Sequence, residues 1–182
     1  MKKQFKTGLM ILLAGAVAAS ATAADQVAME EERQKRRDEI AQSLTEMSRM
    51  LTVFDYLSYN MSGPVVVLEG FCTKAVIKGD AEKAVRGLDW VTHVVNEIEL
   101  LPVEPAANDI RQQTLSILRK AVPQAFPQNH AYIRIKVDQG LNVNLVGWVD
   151  PGDQKRLDAA IVGIKSLPLV KDVDNQVLAK KQ

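Results

Sequence analysis

Residues able to do acid–base, nucleophilic or metal chemistry are few and scattered in this chain of 182 residues. There are two histidines, His93 and His130, and one cysteine, Cys72. Catalysis by a thiol needs a base within hydrogen-bond reach, and neither histidine stands near Cys72 in a recognised motif. The HExxH, GxSxG, GxGxxG and P-loop patterns are all missing from the sequence. We therefore predict no enzyme, no catalytic residues, no metal site and no cofactor.

The single cysteine excludes an internal disulfide. A free thiol in an oxidising compartment is safest when it is buried, so we predict that Cys72 is a small core residue. A reactive or intermolecular thiol is the alternative.

Aromatic residues near basic ones are better candidates for a binding site. Trp148 precedes Lys155 and Arg156 closely in the sequence, and Trp90 follows a predicted helix. Tryptophan near Lys or Arg suits the membrane–water interface, which makes these four residues candidate lipid or partner contacts. The alternative for either tryptophan is a half-buried ring that completes a core.

A second candidate contact surface is the outer face of a predicted strand. Val65, Val67 and Phe71 share this face, which is therefore apolar. The matching face in the second half of the chain is largely polar, with Arg134, Lys136, Asn142 and Asn144. Exposed apolar strand faces are liabilities unless they are covered. The face in the first half either packs against the second half or forms a groove for a ligand or partner.

The N-terminus has the features of a secretory signal peptide. Lys2, Lys3 and Lys6 precede an uncharged apolar stretch, and Ala21–Ala23 has the small-x-small pattern that signal peptidase accepts. We predict a signal peptide at residues 1–23, cleavage after Ala23 and a periplasmic location. A retained membrane anchor is the alternative, although the apolar stretch is shorter than the roughly 20 residues that a bilayer requires.

Charge argues against nucleic acid as a partner. The chain has 23 basic and 22 acidic residues. Loss of three lysines with the signal peptide leaves 20 basic residues and a net charge of −2. Such a chain lacks the broad positive field that drives non-specific binding to nucleic acid. The charged segment at residues 24–37 is predicted to extend the first helix, with i,i+4 pairs such as Glu32 with Arg36; contact with phosphate head groups is its alternative.

An internal repeat organises the rest of the chain. Leu68-Glu69-Gly70-Phe71-Cys72 matches Leu145-Val146-Gly147-Trp148-Val149, 77 residues later. The stretch at residues 91–98 likewise matches residues 170–177, and both contain Val-x-x-Val-x-Asn. Duplication of one small domain explains both matches.

Hydrophobic periodicity gives each copy the order αββαβ. We predict modules at residues 38–101 and 107–179, joined by a linker at 102–106. The predicted class is α+β, with a small three-stranded mixed sheet and two helices on one face in each module. In the first copy the predicted strands are 53–59, 65–72 and 91–100. In the second, Asn108 is predicted to cap the first helix and residues 169–178 to form the last strand.

Within each module, a glycine and an asparagine recur as structural residues. Gly70 and Gly147 are predicted where a strand passes beneath a helix. Asn96 and Asn175 are predicted to hydrogen-bond the backbone at a strand bend; a ligand role is their alternative.

This order, together with the aliphatic-x-Gly-aromatic and Val-x-x-Val-x-Asn motifs, resembles two tandem copies of the BON family (bacterial OsmY and nodulation domain). The resemblance implies a repeat protein of the cell envelope, often connected with osmotic stress, that binds phospholipid or another envelope component. We therefore predict a periplasmic binding protein, peripheral to the membrane at most, that recognises envelope phospholipid or an envelope protein. A protein-interaction adaptor without lipid affinity is the alternative, and the oligomeric state stays open.

Overall fold

The structure, a computed structural model, describes residues 23–128 and 130–180. These residues divide into two units, the first ending at Arg37 and the second beginning at Asp38, and each is described by itself. The predicted signal peptide lies outside the described residues except for Ala23. Among the residues described, no helix combines the length and apolar character needed to cross a bilayer.

Helices and strands alternate along the chain in the predicted order. The helices are α1 (Ala23–Glu46), α2 (Ala75–Arg86), α3 (Pro105–Ala121) and α4 (Gln154–Lys165). The strands are β1 (Tyr56–Ser62), β2 (Val65–Cys72), β3 (His93–Asn96), β4 (Glu99–Leu100), β5 (Ile133–Val137), β6 (Val143–Val149) and β7 (Val173–Ala179). Short 3-10 helices cover Met47–Met50, Pro123–Ala125 and Pro151–Asp153.

The first unit contains the charged part of α1. Arg33 forms an ion pair with Glu30 at 3.3 Å, and Arg36 forms one with Glu32 at 3.0 Å. Such solvent-exposed pairs, one helical turn apart, stabilise a helix only slightly.

The second unit contains two small mixed sheets, which confirms the predicted α+β class. In the first sheet β1 is antiparallel to β2, and β3 is parallel to β2. In the second, β5 is antiparallel to β6, and β7 is parallel to β6. The first sheet differs from the prediction in having a fourth short strand, because β4 also pairs with β2.

Each sheet packs its own helices onto one face. The first core joins Ile40 and Leu44 of α1 and Ile77 of α2 to Val66 and Leu68 of β2. The second core is built in the same way from α3, α4 and the inward residues of its sheet; it includes Ile110, Leu118, Ile133, Ile135, Val143, Leu145, Leu157 and Ile164. Alternate strand residues point inward, so the intervening residues form an outer face on each sheet.

The first strand begins three residues later than the predicted start at Val53. Asp55 is fully buried and accepts four hydrogen bonds, at 2.6–2.8 Å, from the backbone and hydroxyl groups of Thr52 and Thr73. These bonds hold residues 52–55 in a turn, so the strand can start only at Tyr56. We call residues 51–55 the junction segment.

The junction segment connects the two sheets. Val53 and Phe54 pack against the second core, and the Val53 carbonyl accepts a hydrogen bond of 3.0 Å from the Ile135 amide. The Thr52 carbonyl accepts one of 2.7 Å from Arg134 Nη1. Strand β5 is an edge of its sheet, so the junction segment covers part of an otherwise unpaired edge.

Three further boundaries differ from the prediction. Helix α3 begins at Pro105 and not after a cap at Asn108, because proline fits the first helical position; the Asn108 amide donates to the Glu104 carbonyl within the first turn. The third strand of the first module is interrupted after Asn96, whose side-chain oxygen accepts from the Ile98 amide at 3.2 Å. The last strand begins at Val173 and not at Leu169, whose φ of 70° is incompatible with an extended strand.

Gly70 and Gly147 are required by close contact with the backbone of the neighbouring chain segment in the sheet. The prediction that a strand passes beneath a helix at these positions was wrong. A Cβ atom added to Gly70 would lie 2.1 Å from the Tyr56 carbonyl oxygen, and one added to Gly147 would lie 1.9 Å from that of Tyr132. Their φ values of 113° and 130° are also strained for other residues. In both modules, therefore, the backbone at the start of one strand or just before it lies directly against a glycine of the neighbouring strand.

Replacing Asp55 should destabilise the fold. We expect Asp55→Asn to lower the free energy of unfolding by about 3 kcal/mol, because an amide group would face donors that now bond a carboxylate. Urea denaturation measures the change. The control Asp89→Asn removes an exposed carboxylate and should change stability by less than about 0.5 kcal/mol. Equal effects from the two variants would contradict the role assigned to Asp55.

Adding a methyl group at Gly147 should also destabilise the protein. We expect Gly147→Ala to cost about 3 kcal/mol, from strained backbone and contact with the Tyr132 carbonyl. The matched control Gly79→Ala lies in α2 with open space around it. Since alanine is the better helix former, that control should gain about 0.5–1 kcal/mol. Thermal or urea unfolding of both variants gives the two signs, and a stable Gly147→Ala would refute the close approach.

Candidate functional site

A groove lies between the start of the first sheet and the outer face of the second. Its volume is about 580 Å³. Most of its lining is apolar or aromatic. The lining residues are Leu51, Asp55, Tyr56, Leu57, His130, Ala131, Tyr132, Arg134, Val146, Gly147, Trp148, Gln176 and Leu178. We call this the junction groove.

Trp148 is the largest side chain of the junction groove. Its ring stacks on that of Tyr132, with centroids 3.9 Å apart and planes inclined by 26°. The ammonium group of Lys180 lies 4.7 Å from the Trp148 ring, in a cation–π contact. Leu178, opposite Trp148 in the strand pairing, is 71% exposed. The arrangement presents apolar surface with a cation beside it.

The structure does not bring Lys155 and Arg156 to Trp148. Both belong to α4, which packs on the inner face of the second sheet, whereas Trp148 lies on the outer face. Arg156 forms an ion pair with Asp153 at 2.8 Å. The prediction from sequence spacing that Lys155 and Arg156 lie beside Trp148 was therefore wrong. The cation beside the ring is Lys180.

Trp90 completes a core. It is half-buried, packs against the first core, and donates a hydrogen bond of 2.6 Å from Nε1 to Glu39 Oε2. The contact ties the loop after α2 to α1. Trp90 therefore lies apart from the junction groove.

The outer face of the first sheet is less open than its residue types indicate. Phe71 is only 5% exposed, and its ring lies 5.8 Å from that of Tyr56. Val65 and Val67 are half-buried. Because Phe71 is buried, its ring is not available to line a groove for a ligand or partner on this face.

Asn96 and Asn175 hydrogen-bond the backbone two residues further on. Asn96 accepts from the Ile98 amide, and Asn175 accepts from the Val177 amide at 3.1 Å. Asn96 also donates 3.0 Å bonds to the Lys78 carbonyl and to Glu82. Side chains that bond the backbone in this way are typical of strand ends and bends, and in Asn96 these bonds use both the oxygen and the nitrogen of the side chain.

The residues first considered for chemistry are not brought together. His93 is exposed on β3, and His130 lies beside the Tyr132 ring with centroids 5.0 Å apart. Cys72 is buried, its thiol donates to the Lys74 carbonyl at 3.3 Å, and burial raises the thiol pKa. Across residues 23–128 and 130–180, no group of His, Cys, Asp and Glu side chains is placed to hold a metal ion.

Sequence reasoning missed Tyr132, Leu178 and Lys180. A usable signal was present, because a parallel pairing of β6 with β7 places residue 178 opposite Trp148 and residue 180 just beyond it. In the sequence, Tyr132 precedes Arg134 by two residues and so falls on the same polar face, and only the structure stacks it on Trp148.

Arg134, which lines the groove, is affected by its partial burial. Removal from water lowers the pKa of Arg134, and the negative charge of Asp55 acts in the opposite direction. Lys136, on the same strand, forms an ion pair with Glu99 of the first sheet. Opposite charges from the two sheets thus meet along the junction.

Two solved structures resemble this chain only distantly. One is the C-terminal domain of CdsD, a structural protein of the type III secretion system of Chlamydia trachomatis, with 10% identity and a TM-score of 0.34. The match covers 79% of this chain and 96% of that one. A second CdsD structure has 12% identity, a TM-score of 0.29 and coverage of 79% and 91%. Such low scores carry no argument about fold or function, and no curated protein matches the chain.

Family comparison gives a clearer result for the first module. Residues 61–102 match the BON domain, and they extend from the end of β1 to the residues after β4. The matched region contains Gly70 and Asn96, two residues on which the predicted resemblance rested. The second module has the same strand pairing and the same glycine contact, but its place in the family stays a prediction. Residues 61–102 are thus similar to the BON domain.

Proposed function

We propose that this protein is exported to the periplasm and there acts as a binding protein that recognises phospholipid at the surface of an envelope membrane. The observation that carries the proposal is the junction groove, in which exposed Leu178 and the Trp148–Tyr132 stack lie beside the Lys180 ammonium. Apolar and aromatic surface next to a cation suits the boundary between head groups and acyl chains. The similarity of residues 61–102 to the BON domain supports a role at the envelope.

The binding proposed is peripheral. Leu178 and part of the Trp148 ring would enter the interface, while Lys180 would lie at the level of anionic head groups. A single lysine near an anionic surface contributes only about 1 kcal/mol, so affinity should depend on salt and on the fraction of anionic lipid. Weak attachment of this kind suits a protein that exchanges between a membrane surface and the periplasm.

Export has its own test. We expect the protein recovered from the periplasmic fraction to begin at Ala24, because Ala21–Ala23 provides the cleavage pattern. Intact-mass spectrometry of the recovered protein measures the cleavage position. A full-length mass found only in the membrane fraction would favour the retained-anchor alternative.

Lipid recognition can be measured by co-sedimentation of the exported protein with vesicles. Binding should be stronger to vesicles containing phosphatidylglycerol than to vesicles of phosphatidylcholine, and should weaken between low and moderate salt. Leu178→Ser should weaken binding about fivefold, since it removes exposed apolar surface from the groove. The matched control Val162→Ser, at a 65% exposed position on α4, should leave binding unchanged.

The cation of the site can be assigned in the same experiment. Lys180→Gln should weaken vesicle binding about fivefold, whereas Lys155→Gln and Arg156→Gln should have little effect. The reverse result would restore the assignment made from sequence spacing. Absence of binding to every vesicle composition would reject lipid recognition and favour the adaptor alternative.

A further inference from the structure

A second cavity adjoins the junction groove and has a different character. It has a volume of about 750 Å³ and lies between the 3-10 helix Met47–Met50, the end of α3 and the segment before β5. Its basic residues are Arg49, Arg119, Arg134 and His130. Leu51 and Phe126 contribute apolar walls. We call it the cationic cleft.

The charge of this cleft is not balanced by its own walls. Among the described residues that line it, none is Asp or Glu. Arg49 and Arg119 are exposed, and neither forms an ion pair within the part of the chain that the structure describes. Three guanidinium groups around one cavity repel one another, and an anion placed between them would relieve that repulsion.

The nearby carboxylate does not neutralise the cleft. Asp55 acts electrostatically on Arg134, but its two oxygens already accept four hydrogen bonds from Thr52 and Thr73. The single negative charge of Asp55 is also smaller than the combined positive charge of the three arginines that line the cleft. The cleft therefore keeps a net positive charge.

One arginine is held in place before any ligand arrives. Arg134 is half-buried, and its Nη1 donates to the Thr52 carbonyl at 2.7 Å. A guanidinium group has five N–H donors in a fixed planar fork, so the others remain for a second acceptor. A partly immobilised guanidinium loses less conformational entropy when it binds an anion.

We propose that the cationic cleft binds the phosphate group of a phosphate ester. A tetrahedral phosphate offers several acceptor oxygens and matches the arginine fork, and its charge suits a cavity lined by three arginines. The cavity is large enough for a glycerol phosphate. The cleft and the junction groove share Leu51, His130, Ala131 and Arg134, so an apolar portion of the same ligand could continue into the groove. The site goes beyond the proposed function, since it takes a phosphate ester with or without acyl chains.

Calorimetric titration of the exported protein with sn-glycerol 3-phosphate tests the cleft without acyl chains. We expect saturable binding that weakens with salt. Arg49→Gln and Arg119→Gln should each weaken it about tenfold, because each removes charge-assisted hydrogen bonds to phosphate. Arg119→Lys keeps the charge without the fork and should lie between the wild type and Arg119→Gln. Both arginines are exposed, so the variants should keep the wild-type melting temperature.

The matched control is Lys155→Gln, which removes one positive charge from an exposed position outside the cleft. It should change glycerol phosphate binding less than twofold. A loss as large as that of Arg119→Gln would mean that net charge, and not the cleft, controls the titration, and would overturn the proposal.

Vesicles containing phosphatidylglycerol form the second arm and identify the source of the phosphate. Binding of vesicles but not of glycerol phosphate, with loss in Arg49→Gln and Arg119→Gln, supports the cleft as a site for a lipid head group. Binding of glycerol phosphate alone, with the same losses, supports a soluble phosphate ester and rejects the lipid function. The proposal is overturned if neither ligand responds to these two variants more than to Lys155→Gln, even when Leu178→Ser still weakens vesicle binding.

Discussion

Burial of the Asp55 carboxylate is the constraint on which the arrangement of the two sheets depends. A charged group removed from water must be satisfied by hydrogen bonds, and Asp55 obtains them from Thr52 before it and Thr73 after β2. This closes the junction segment into a tight turn. The turn then directs the Val53 and Thr52 carbonyls towards β5, where Ile135 and Arg134 donate to them. One buried charge thus links the end of one strand to the edge of another sheet.

The two modules share one backbone contact between a tyrosine and a glycine, and they differ in how much of the neighbouring aromatic ring is exposed. In each, a tyrosine carbonyl lies against a strand glycine, and the aromatic residue after the glycine contacts that tyrosine. Phe71 is buried in the first module, while Trp148 remains half-buried in a groove of the second. A similar backbone geometry therefore accompanies a buried aromatic ring in the first module and a partly exposed one in the second.

The open surface has two chemically distinct parts. The junction groove is mainly apolar and carries one cation at Trp148, whereas the cationic cleft concentrates guanidinium groups without carboxylates among its described lining residues. Arg134 lines both cavities and donates to the Thr52 carbonyl, and the turn at residues 52–55 contributes lining residues to both. Amphipathic ligands have this same division into a charged end and an apolar end, which connects the fold to the binding proposed.

Much of the fold was predictable because it depends on local patterns. Alternating hydrophobicity identified the strands, three-to-four residue spacing identified the helices, and the repeated motif predicted two modules with the same strand order. Gly70, Gly147, Asn96 and Asn175 were recognised as structural residues, since their types are chosen by backbone geometry close to them.

Boundaries and the binding surface were decided by tertiary structure. In the sequence, Asp55 shows only as a polar residue within a predicted strand, because its hydrogen-bond partner Thr73 lies 18 positions away. Arg49, Arg119 and Arg134 come from separate elements, and no spacing pattern joins residues that line one cavity only after these elements have packed together. The sequence by itself determined the two modules and their inward residues, because periodicity encodes which side is buried. Only the tertiary structure decided which charges and rings share a cavity, because that depends on contacts between residues far apart in the chain.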